Sequence, residues 1–243
     1  MPDRQNVFIT GASRGIGHAT ARYFVEQGWR AITCSRDEVP PACPRNDLHA
    51  HITIDLESTA DLHEAVRQLD EVLDGKRLHA LVNNAGYSPK GKDGERLGCL
   101  DGKMAHWEKV FAINFLAPVF FTRTLAPRLQ DGGSIVNITS IAGHRVHPFA
   151  GSAYSTSKAA LTALTRELAA DLAPLDIRVN AVCPGEIDTA ILSPGTEELV
   201  GRIPMKRLGS PKEVAQAIYY LCSDQASYIT GAEIPVNGGQ DVY

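Results

Sequence analysis

The sequence predicts one doubly wound α/β domain over residues 1–243, with a seven-stranded parallel sheet and helices on both of its faces. Short apolar runs typical of buried strands alternate with longer amphipathic runs typical of helices, and this alternation favours a parallel sheet. A glycine-rich turn joins the first strand to the first helix, where doubly wound sheets bind their ligands. No internal repeat, low-complexity tract or linker divides the chain, so we expect no second domain.

Each element follows from its local pattern. Gly28 is a typical end signal for the first helix, and Pro211 is a typical first-turn residue for the last. Pro118 is expected to bend the longest helix. Strands are predicted over 7–10, 31–35, 51–56, 79–83, 134–139, 177–182 and 234–236. Helices are predicted over 15–27, 59–73, 104–129, 152–172 and 211–223, and irregular segments over 39–45, 87–102 and 184–210.

Composition and charge exclude several classes of function. Hydrophobic residues make up 44% of the chain, and the formal net charge is −4 without a long basic run, so we expect no nucleic-acid partner. The apolar stretch 111–121 comes nearest to a membrane span, but Asn114 and Pro118 interrupt it, so we expect no membrane partner. Five cysteines without paired metal spacing are typical of reduced thiols in a cytoplasmic protein.

The turn after the first strand reads Thr-Gly-Ala-Ser-Arg-Gly-Ile-Gly at 10–17. Glycines let the backbone turn tightly and approach a pyrophosphate, whose charge is met by the helix N-terminus. The alternative is a turn that needs only positive φ, but the strand–turn–helix context favours a dinucleotide site. The loop residues expected to contact the dinucleotide are Gly11, Ser13, Arg14, Gly15, Ile16 and Gly17.

The end of the second strand indicates which dinucleotide is bound. An NAD site usually has an acid there that holds the ribose 2′-hydroxyl, whereas this chain has Ser35 and Arg36. A guanidinium group from Arg36 or Arg14 matches a 2′-phosphate in geometry and charge. Asp37 lies beyond the predicted strand end. The sequence therefore favours NADP(H) over NAD(H), with two solvent-facing arginines as the alternative.

Tyr154 and Lys158 lie four residues apart at the start of the predicted helix 152–172, on one face of it. A neighbouring ammonium group favours the phenolate and lowers the pKa of a tyrosine from its usual value of about 10. The pair is therefore a candidate proton-transfer device. The alternative is a solvated pair on the helix surface.

Taken together, these motifs resemble those of the short-chain dehydrogenase/reductase family, nearly from end to end. The nearest subgroup contains the 3-oxoacyl-carrier-protein reductases and many sugar, steroid and small-alcohol dehydrogenases. The motifs, in the family's order, are 10–17, Asn-Asn-Ala-Gly at 83–86, Asn114, Ser140, the Tyr154/Lys158 pair, Pro-Gly-Glu-Ile-Asp-Thr at 184–189, and 231–239. The resemblance implies a Rossmann-type oxidoreductase that interconverts a small-molecule carbonyl and a secondary alcohol, assembled as a homotetramer.

The resemblance also implies catalytic roles. Tyr154 is the general acid in reduction and the base in oxidation, and Lys158 lowers its pKa and binds the nicotinamide ribose. Ser140 donates a hydrogen bond to the substrate oxygen. Asn114 holds a water that links Lys158 to solvent. Asn83 braces the sheet beside the cofactor, and the other implied cofactor contacts are Asp55, Leu56, Ala85, Gly86, Pro184, Gly185, Ile187 and Thr189.

The chain departs from the family pattern where substrates are selected. The spacing between Ser140 and Tyr154 is one residue longer than the commonest spacing in the family. The loop 87–102 is longer than the corresponding loop of the family, and the segment 184–210 is shorter than the corresponding segment. The natural substrate therefore stays open. Candidate substrate contacts are His144, Val146, His147 and Glu186. No cysteine or carboxylate cluster accompanies the two histidines in sequence, so we expect no metal site. An NAD-dependent catabolic alcohol dehydrogenase and a non-catalytic dinucleotide-binding protein remain alternatives.

Overall fold

A computed structural model describes residues 4–37, 47–189 and 195–242. Its strands are β1 (Asn6–Thr10), β2 (Arg30–Ser35), β3 (His49–Thr53), β4 (Leu78–Asn83), β5 (Leu129–Ile138), β6 (Arg178–Pro184) and β7 (Glu233–Val236). Its α-helices are α1 (Gly15–Glu26), α2 (Thr59–Leu73), α3 (Met104–Phe111), α4 (Ala117–Leu125), α5 (Ser152–Leu172), α6 (Glu197–Val200) and α7 (Pro211–Cys222).

The strands form one parallel sheet in the order β3-β2-β1-β4-β5-β6-β7, which confirms the predicted doubly wound fold. Strand order reverses at β1, because the chain first builds outward to β3 and then returns to add β4 on the other side. In such sheets a crevice opens at the carboxyl ends of the two strands that flank the reversal. The glycine-rich turn after β1 therefore lies at the topological switch point.

Two apolar cores bury the two faces of the sheet. On one face α2 and α4 pack on the strands, and Phe8 of β1 meets Phe121 edge-on with ring centroids 5.4 Å apart. On the other face α1 and α7 pack together, with Phe24 against Trp29 at 5.2 Å. Burial on both faces explains why the central strands β1 and β4 carry runs of apolar residues rather than an alternating pattern.

The predicted helix 104–129 forms one helical run, Met104–Arg128, but it is not α-helical throughout. A wider π-helical turn, Ala112–Leu116, separates α3 from α4, and β5 already begins at Leu129. Pro118 closely follows this turn inside the helical run, where the regular pattern of α-helical hydrogen bonds is already interrupted and a residue without an N–H group is tolerated. The run Met104–Arg128 is long and apolar enough to pass for a membrane span, but half of its apolar window is buried inside the domain, so it is a core helix.

Smaller boundaries also differ from prediction. Strand β3 ends at Thr53, so Asp55 and Leu56 lie in the connection that follows it, and β6 extends to Pro184. The segment 184–210 contains the short helix α6 and a bridge between Ile187 and Gly209. Its residues 190–194, and the predicted loop 39–45, fall outside the described residues.

Candidate active site

A single cleft at the carboxyl edge of the sheet brings the glycine-rich loop and the Tyr154 helix together. Its floor is formed by the loop after β1 and by the residues that follow β4, β5 and β6. Tyr154 and Lys158 reach it from α5, and Ser140 reaches it from the end of β5. Motifs that are more than a hundred residues apart therefore share one site.

Asn84 holds the glycine-rich loop in place. Its Nδ2 donates to the carbonyl oxygens of Thr10 at 2.9 Å and Gly11 at 3.0 Å. In return, Thr10 Oγ1 accepts from the backbone N–H groups of Asn84 at 3.1 Å and Ala85 at 3.0 Å. Neither Asn84 nor Thr10 was among the predicted cofactor contacts, although both belong to the motifs that carry the resemblance. These four bonds fix the loop against the end of β4.

Glycine is required at several positions of the loop. Gly11 has φ +70° and Gly15 has φ +58°, which side chains rarely adopt. A Cβ on Gly11 would lie 2.6 Å from Ala85 Cα, and one on Gly17 would overlap Asn84 Nδ2 and the Gly11 carbonyl. The loop thus needs glycine for space as well as for positive φ, and it directs the first N–H groups of α1 at the cleft.

The end of β2 carries charges of both signs. Ser35 is buried, and its hydroxyl donates to the backbone carbonyl of Asp37 at 2.7 Å. Arg36 is exposed. The Asp37 carboxylate accepts a hydrogen bond from Ser13 Oγ at 3.4 Å, so it faces the glycine-rich loop despite lying beyond the strand. Arg14, which belongs to the glycine-rich loop, lines the cleft.

Seven of the predicted cofactor contacts lie outside the cleft lining, namely Ser13, Ser35, Arg36, Asp55, Leu56, Asn83 and Ala85. Asn83 points into the protein, where its Nδ2 donates to Asn137 Oδ1 at 2.9 Å and so braces β4 against β5. Leu56 is buried in the core beside α2. Asp55 accepts the backbone N–H of Glu57 at 3.1 Å. Alternation along the strand explains Asn83, since its neighbour Asn84 is the residue that turns toward the cleft.

Lys158 is buried and does not form a solvated pair with Tyr154 on the helix surface. It is 2% exposed, and its Nζ donates to the carbonyl oxygen of Ile138 at 2.7 Å. Nζ lies 5.7 Å from the centroid of the Tyr154 ring. Burial lowers the pKa of Lys158 to about 8. Burial therefore destabilises the charged form of the Lys158 side chain, and the hydrogen bond to the Ile138 carbonyl compensates part of this unfavourable free energy.

The expected acidification of Tyr154 is not what the structure gives. Burial raises the pKa of the phenol, and the hydrogen bond with Ser140 opposes this with a smaller effect. The sequence argument considered only the neighbouring charge, and desolvation of the phenolate outweighs it. Ser140 itself caps the turn after β5, since its Oγ accepts from the N–H of Ala142 at 3.2 Å. Tyr154 is accordingly a protonated phenol at neutral pH, suited to donate a proton.

The Asn114 side chain clamps the chain after β4 and leaves its amide little freedom to hold water. Its Oδ1 accepts the N–H of Tyr87 at 2.8 Å, and its Nδ2 donates to the Tyr87 carbonyl at 3.1 Å and to Ser157 Oγ at 3.0 Å. Pro118, four residues on, has no N–H to give to the Asn114 carbonyl. The water that Asn114 is expected to hold for Lys158 stays a prediction.

The residues after β6 complete the far wall of the cleft. Pro184, Gly185, Ile187 and Thr189 all line it. A side chain on Gly185 would overlap Gln240, which accepts the Glu186 N–H at 3.1 Å. Among the described residues no group hydrogen-bonds the buried Thr189 Oγ1. A hydroxyl without a partner in a cleft lined by glycines and a helix N-terminus fits the amide end of a nicotinamide dinucleotide.

Of the four candidate substrate contacts, two line the cleft. His147 and Glu186 are both buried there, and His147 Nε2 lies 2.6 Å from Glu186 Oε1. The Glu186 carboxylate therefore lies inside the cleft and not in bulk water. Val146 is 85% exposed, and His144 pairs with Glu233 at 2.7 Å outside the cleft lining.

His144 has two further neighbours that sequence spacing did not indicate. Ligand atoms of His144, Cys183 and Glu233 lie within 4.8 Å of one another. Glu233 Oε1 already accepts hydrogen bonds from Thr139 at 2.5 Å and Thr162 at 2.8 Å. Burial raises the pKa of Cys183 to about 12, which keeps it a thiol. The cluster is well explained as a satisfied carboxylate that joins β7 to α5.

Comparison with known proteins agrees with this geometry. A family model described as enoyl-(acyl carrier protein) reductase matches residues 11–241. Protein FixR of Bradyrhizobium diazoefficiens is 54% identical over 240 residues, covering 96% of this chain and 86% of the relative. The 3-oxoacyl-[acyl-carrier-protein] reductase FabG of Aquifex aeolicus is 36% identical over 248 residues, covering 95% of each.

A solved structure places a dinucleotide on the same fold. An oxidoreductase of the short chain dehydrogenase/reductase family from Brucella ovis, in complex with a partially ordered NAD, is 46% identical. It has a TM-score of 0.81 and covers 97% of this chain and 100% of its own. This chain belongs to the short-chain dehydrogenase/reductase family and is an NAD(P)-dependent oxidoreductase.

Proposed function

We propose that the protein reduces a small-molecule carbonyl to a secondary alcohol with NADPH, and catalyses the reverse reaction with NADP⁺. The observation that carries this proposal is the presence of Tyr154, Ser140 and Lys158 in the cleft that begins at the glycine-rich loop. A protein that only binds dinucleotides has no use for a buried phenol, hydroxyl and amine at that position.

The residues have complementary roles. A bound nicotinamide supplies the hydride or takes it up. In the reductive direction Tyr154 gives its phenolic proton to the substrate oxygen, and its raised pKa keeps that proton available at neutral pH. Ser140 donates a hydrogen bond to the same oxygen, where negative charge develops. Lys158 holds the ribose and orients Tyr154, while Asn114 secures the wall of the cleft at Tyr87.

Several contacts support NADP(H) as the preferred cofactor. Arg14 lines the cleft and Arg36 is exposed at the end of β2, while Ser35 offers no carboxylate to a ribose. Asp37, which faces Ser13, supports the alternative of an NAD-dependent catabolic alcohol dehydrogenase. The other predicted dinucleotide contacts, among them Ile16 and Thr189, remain part of this proposal. Asn83 and Leu56 are left out, because their side chains are buried inside the protein.

Replacement of Arg36 tests this preference. A charge-assisted hydrogen bond contributes about 1.5–3 kcal/mol to binding. Arg36→Ala should therefore lower the affinity for NADPH by about 10-fold or more and the affinity for NADH by less than about twofold. Fluorescence titration of both cofactors measures this. Arg22→Ala, on the exposed side of α1, is the matched loss of charge. Equal effects of Arg36→Ala on both cofactors would remove the argument for a 2′-phosphate.

Turnover itself is tested with a carbonyl panel and NADPH, followed by the loss of nicotinamide absorbance. The expected result is reduction of at least one ketone or aldehyde by the intact protein. Tight NADPH binding without turnover across the panel would favour the non-catalytic dinucleotide-binding alternative, in which the protein acts as a redox sensor or scaffold.

We further propose a homotetramer that works in the cytoplasm. An apolar stripe supports the assembly: Trp107 and Phe111 stack at 6.3 Å on α3, and Leu116 is 56% exposed on the π-helical turn. Light scattering should give the mass of four chains, and Leu116→Asp should lower it. A monomer at micromolar concentration would contradict this proposal.

A further inference from the structure

The substrate side of the cleft contains a buried pair whose proton arrangement is set by the backbone. His147 Nδ1 accepts the N–H groups of Phe149 and Ala150, each at 3.2 Å. An acceptor nitrogen carries no proton, so the imidazole proton lies on Nε2 and is donated to Glu186 Oε1 at 2.6 Å. The imidazole is therefore neutral, and it does not cancel the charge of the Glu186 carboxylate.

Glu186 keeps one oxygen for a ligand. Over the ranges 4–37, 47–189 and 195–242, His147 gives the only hydrogen bond to the Glu186 side chain, and it goes to Oε1. Oε2 is left as an acceptor on a residue that lines the cleft. Glu186 also lies close enough to Tyr154 for its charge to raise the pKa of the phenol. Both residues line the same cleft, so the acceptor faces the space in which a substrate at Tyr154 would bind.

Lys90 supplies a donor of opposite charge in the same part of the cleft. It is half-buried, and its Nζ gives one hydrogen to the Phe149 carbonyl at 2.6 Å. An ammonium group has three donors, so two remain. Phe149 also donates its N–H to His147, the partner of Glu186, so one short segment connects Lys90 to Glu186. Burial lowers the pKa of Lys90, and the charge of Glu186 opposes that effect. The substrate side thus offers one acceptor and one donor with no net charge.

This arrangement selects among ligand classes. An aliphatic chain would bury both charged groups without giving either a hydrogen-bond partner, which is unfavourable. An anion would meet Glu186, and a cation would meet Lys90. A hydroxyl group can donate to Glu186 and accept from Lys90, and the Phe149 ring beside them offers an apolar surface to the carbon skeleton.

We propose that the substrate is a hydroxylated carbonyl compound or the corresponding alcohol, with a hydroxyl group beside the reacting carbon that donates to Glu186 and accepts from Lys90. This inference rests on the proposed carbonyl reduction. It names Glu186 and Lys90 as the residues that determine substrate class, with His147 holding the Glu186 carboxylate in position.

Paired probes that differ by one hydroxyl test the inference. The pairs are 2-hydroxycyclohexanone and cyclohexanone, hydroxyacetone and acetone, and 2-hydroxypropanal and propanal, each reduced with NADPH. A site built to bind a hydroxyl strongly rejects an analogue without it, so kcat/KM should favour the hydroxylated member by on the order of 10²-fold or more.

Two variants assign that preference to the cleft residues. In Glu186→Gln the amide oxygen accepts from His147, and the NH₂ group then replaces the free acceptor with a donor, so the preference should fall at least about 10-fold. Lys90→Met should lower it similarly by removing the donor. Glu108→Gln makes the same charge change on the exposed surface of α3 and should leave the preference unchanged.

The outcomes separate this inference from the proposed function. Equal reduction of both members of each pair, reduction of only the unhydroxylated members, or a preference that survives in both cleft variants would overturn the inference. Cooperative unfolding of the variants and intact NADPH binding exclude misfolding as the cause of a lost preference. NADPH binding without turnover of any probe would instead overturn the carbonyl reductase proposal.

Discussion

The buried ammonium group of Lys158 should make the stability of the protein depend on pH in a defined window. Burial lowers its pKa to about 8 from the usual 10.5, and one pKa unit corresponds to about 1.4 kcal/mol. Holding the charged form in the folded state therefore costs about 3 kcal/mol. Lys158→Met removes the titrating group and keeps a side chain of similar length.

The direction follows from proton linkage. Below pH 8 the amine is charged in both states and the folded protein carries the full cost. Between pH 8 and 10.5 the unfolded chain binds more protons than the folded one, so this contribution makes the protein more stable as pH rises. Above 10.5 the amine is neutral in both states and the cost is gone. Relative to Lys158→Met, the wild-type free energy of unfolding should therefore rise by about 2–3 kcal/mol from pH 7 to pH 10.

Urea denaturation at several pH values measures this difference directly. Using a difference cancels the titrating groups that do not interact with Lys158, because both proteins contain them. Lys212→Met, at an exposed lysine of α7, is the control and should give a flat difference across the range. A difference between wild type and Lys158→Met that is also flat, or that falls with pH, would refute a desolvated amine.

Two further predictions concern the walls of the cleft. Gly17→Ala places a Cβ against Asn84 and the Gly11 carbonyl. The substitution should therefore lower the free energy of unfolding by about 1–3 kcal/mol and the affinity for NADPH at least about 10-fold. Urea denaturation and fluorescence titration that show no change would contradict the close approach. Asn114→Ala leaves the N–H and carbonyl of Tyr87 without their partners. The free energy of unfolding, measured by urea denaturation, should therefore fall by about 2–4 kcal/mol. A decrease of less than about 0.5 kcal/mol would contradict a stabilising role of these hydrogen bonds.

Local patterns predicted the elements that depend on local residues. Apolar runs identified all seven strands of the sheet, because strands buried on both faces are continuously hydrophobic. The π-helical turn before α4 was missed. It accompanies a clamp between Asn114 and Tyr87, which lie 27 positions apart, and no local period reports such a contact.

The site shows the same division. The order of the motifs predicted that Tyr154, Lys158 and Ser140 would share the cleft of the glycine-rich loop. Helical spacing alone, however, gave the wrong direction for the pKa of Tyr154, because burial is a property of the folded chain. The bond between His147 and Glu186 joins residues 39 positions apart on different loops, so nothing in either segment indicated the pairing.

Turnover of Tyr154→Phe tests the central claim most directly. The phenyl ring keeps the shape of the cleft and removes only the proton donor. General acid catalysis accelerates a reaction by about 10²–10⁴-fold, so the turnover rate of the best carbonyl substrate should fall at least about 10²-fold. The affinity for NADPH should stay within about threefold of the wild-type value. Turnover close to the wild-type rate with NADPH still bound would contradict the assignment of Tyr154 as the proton donor.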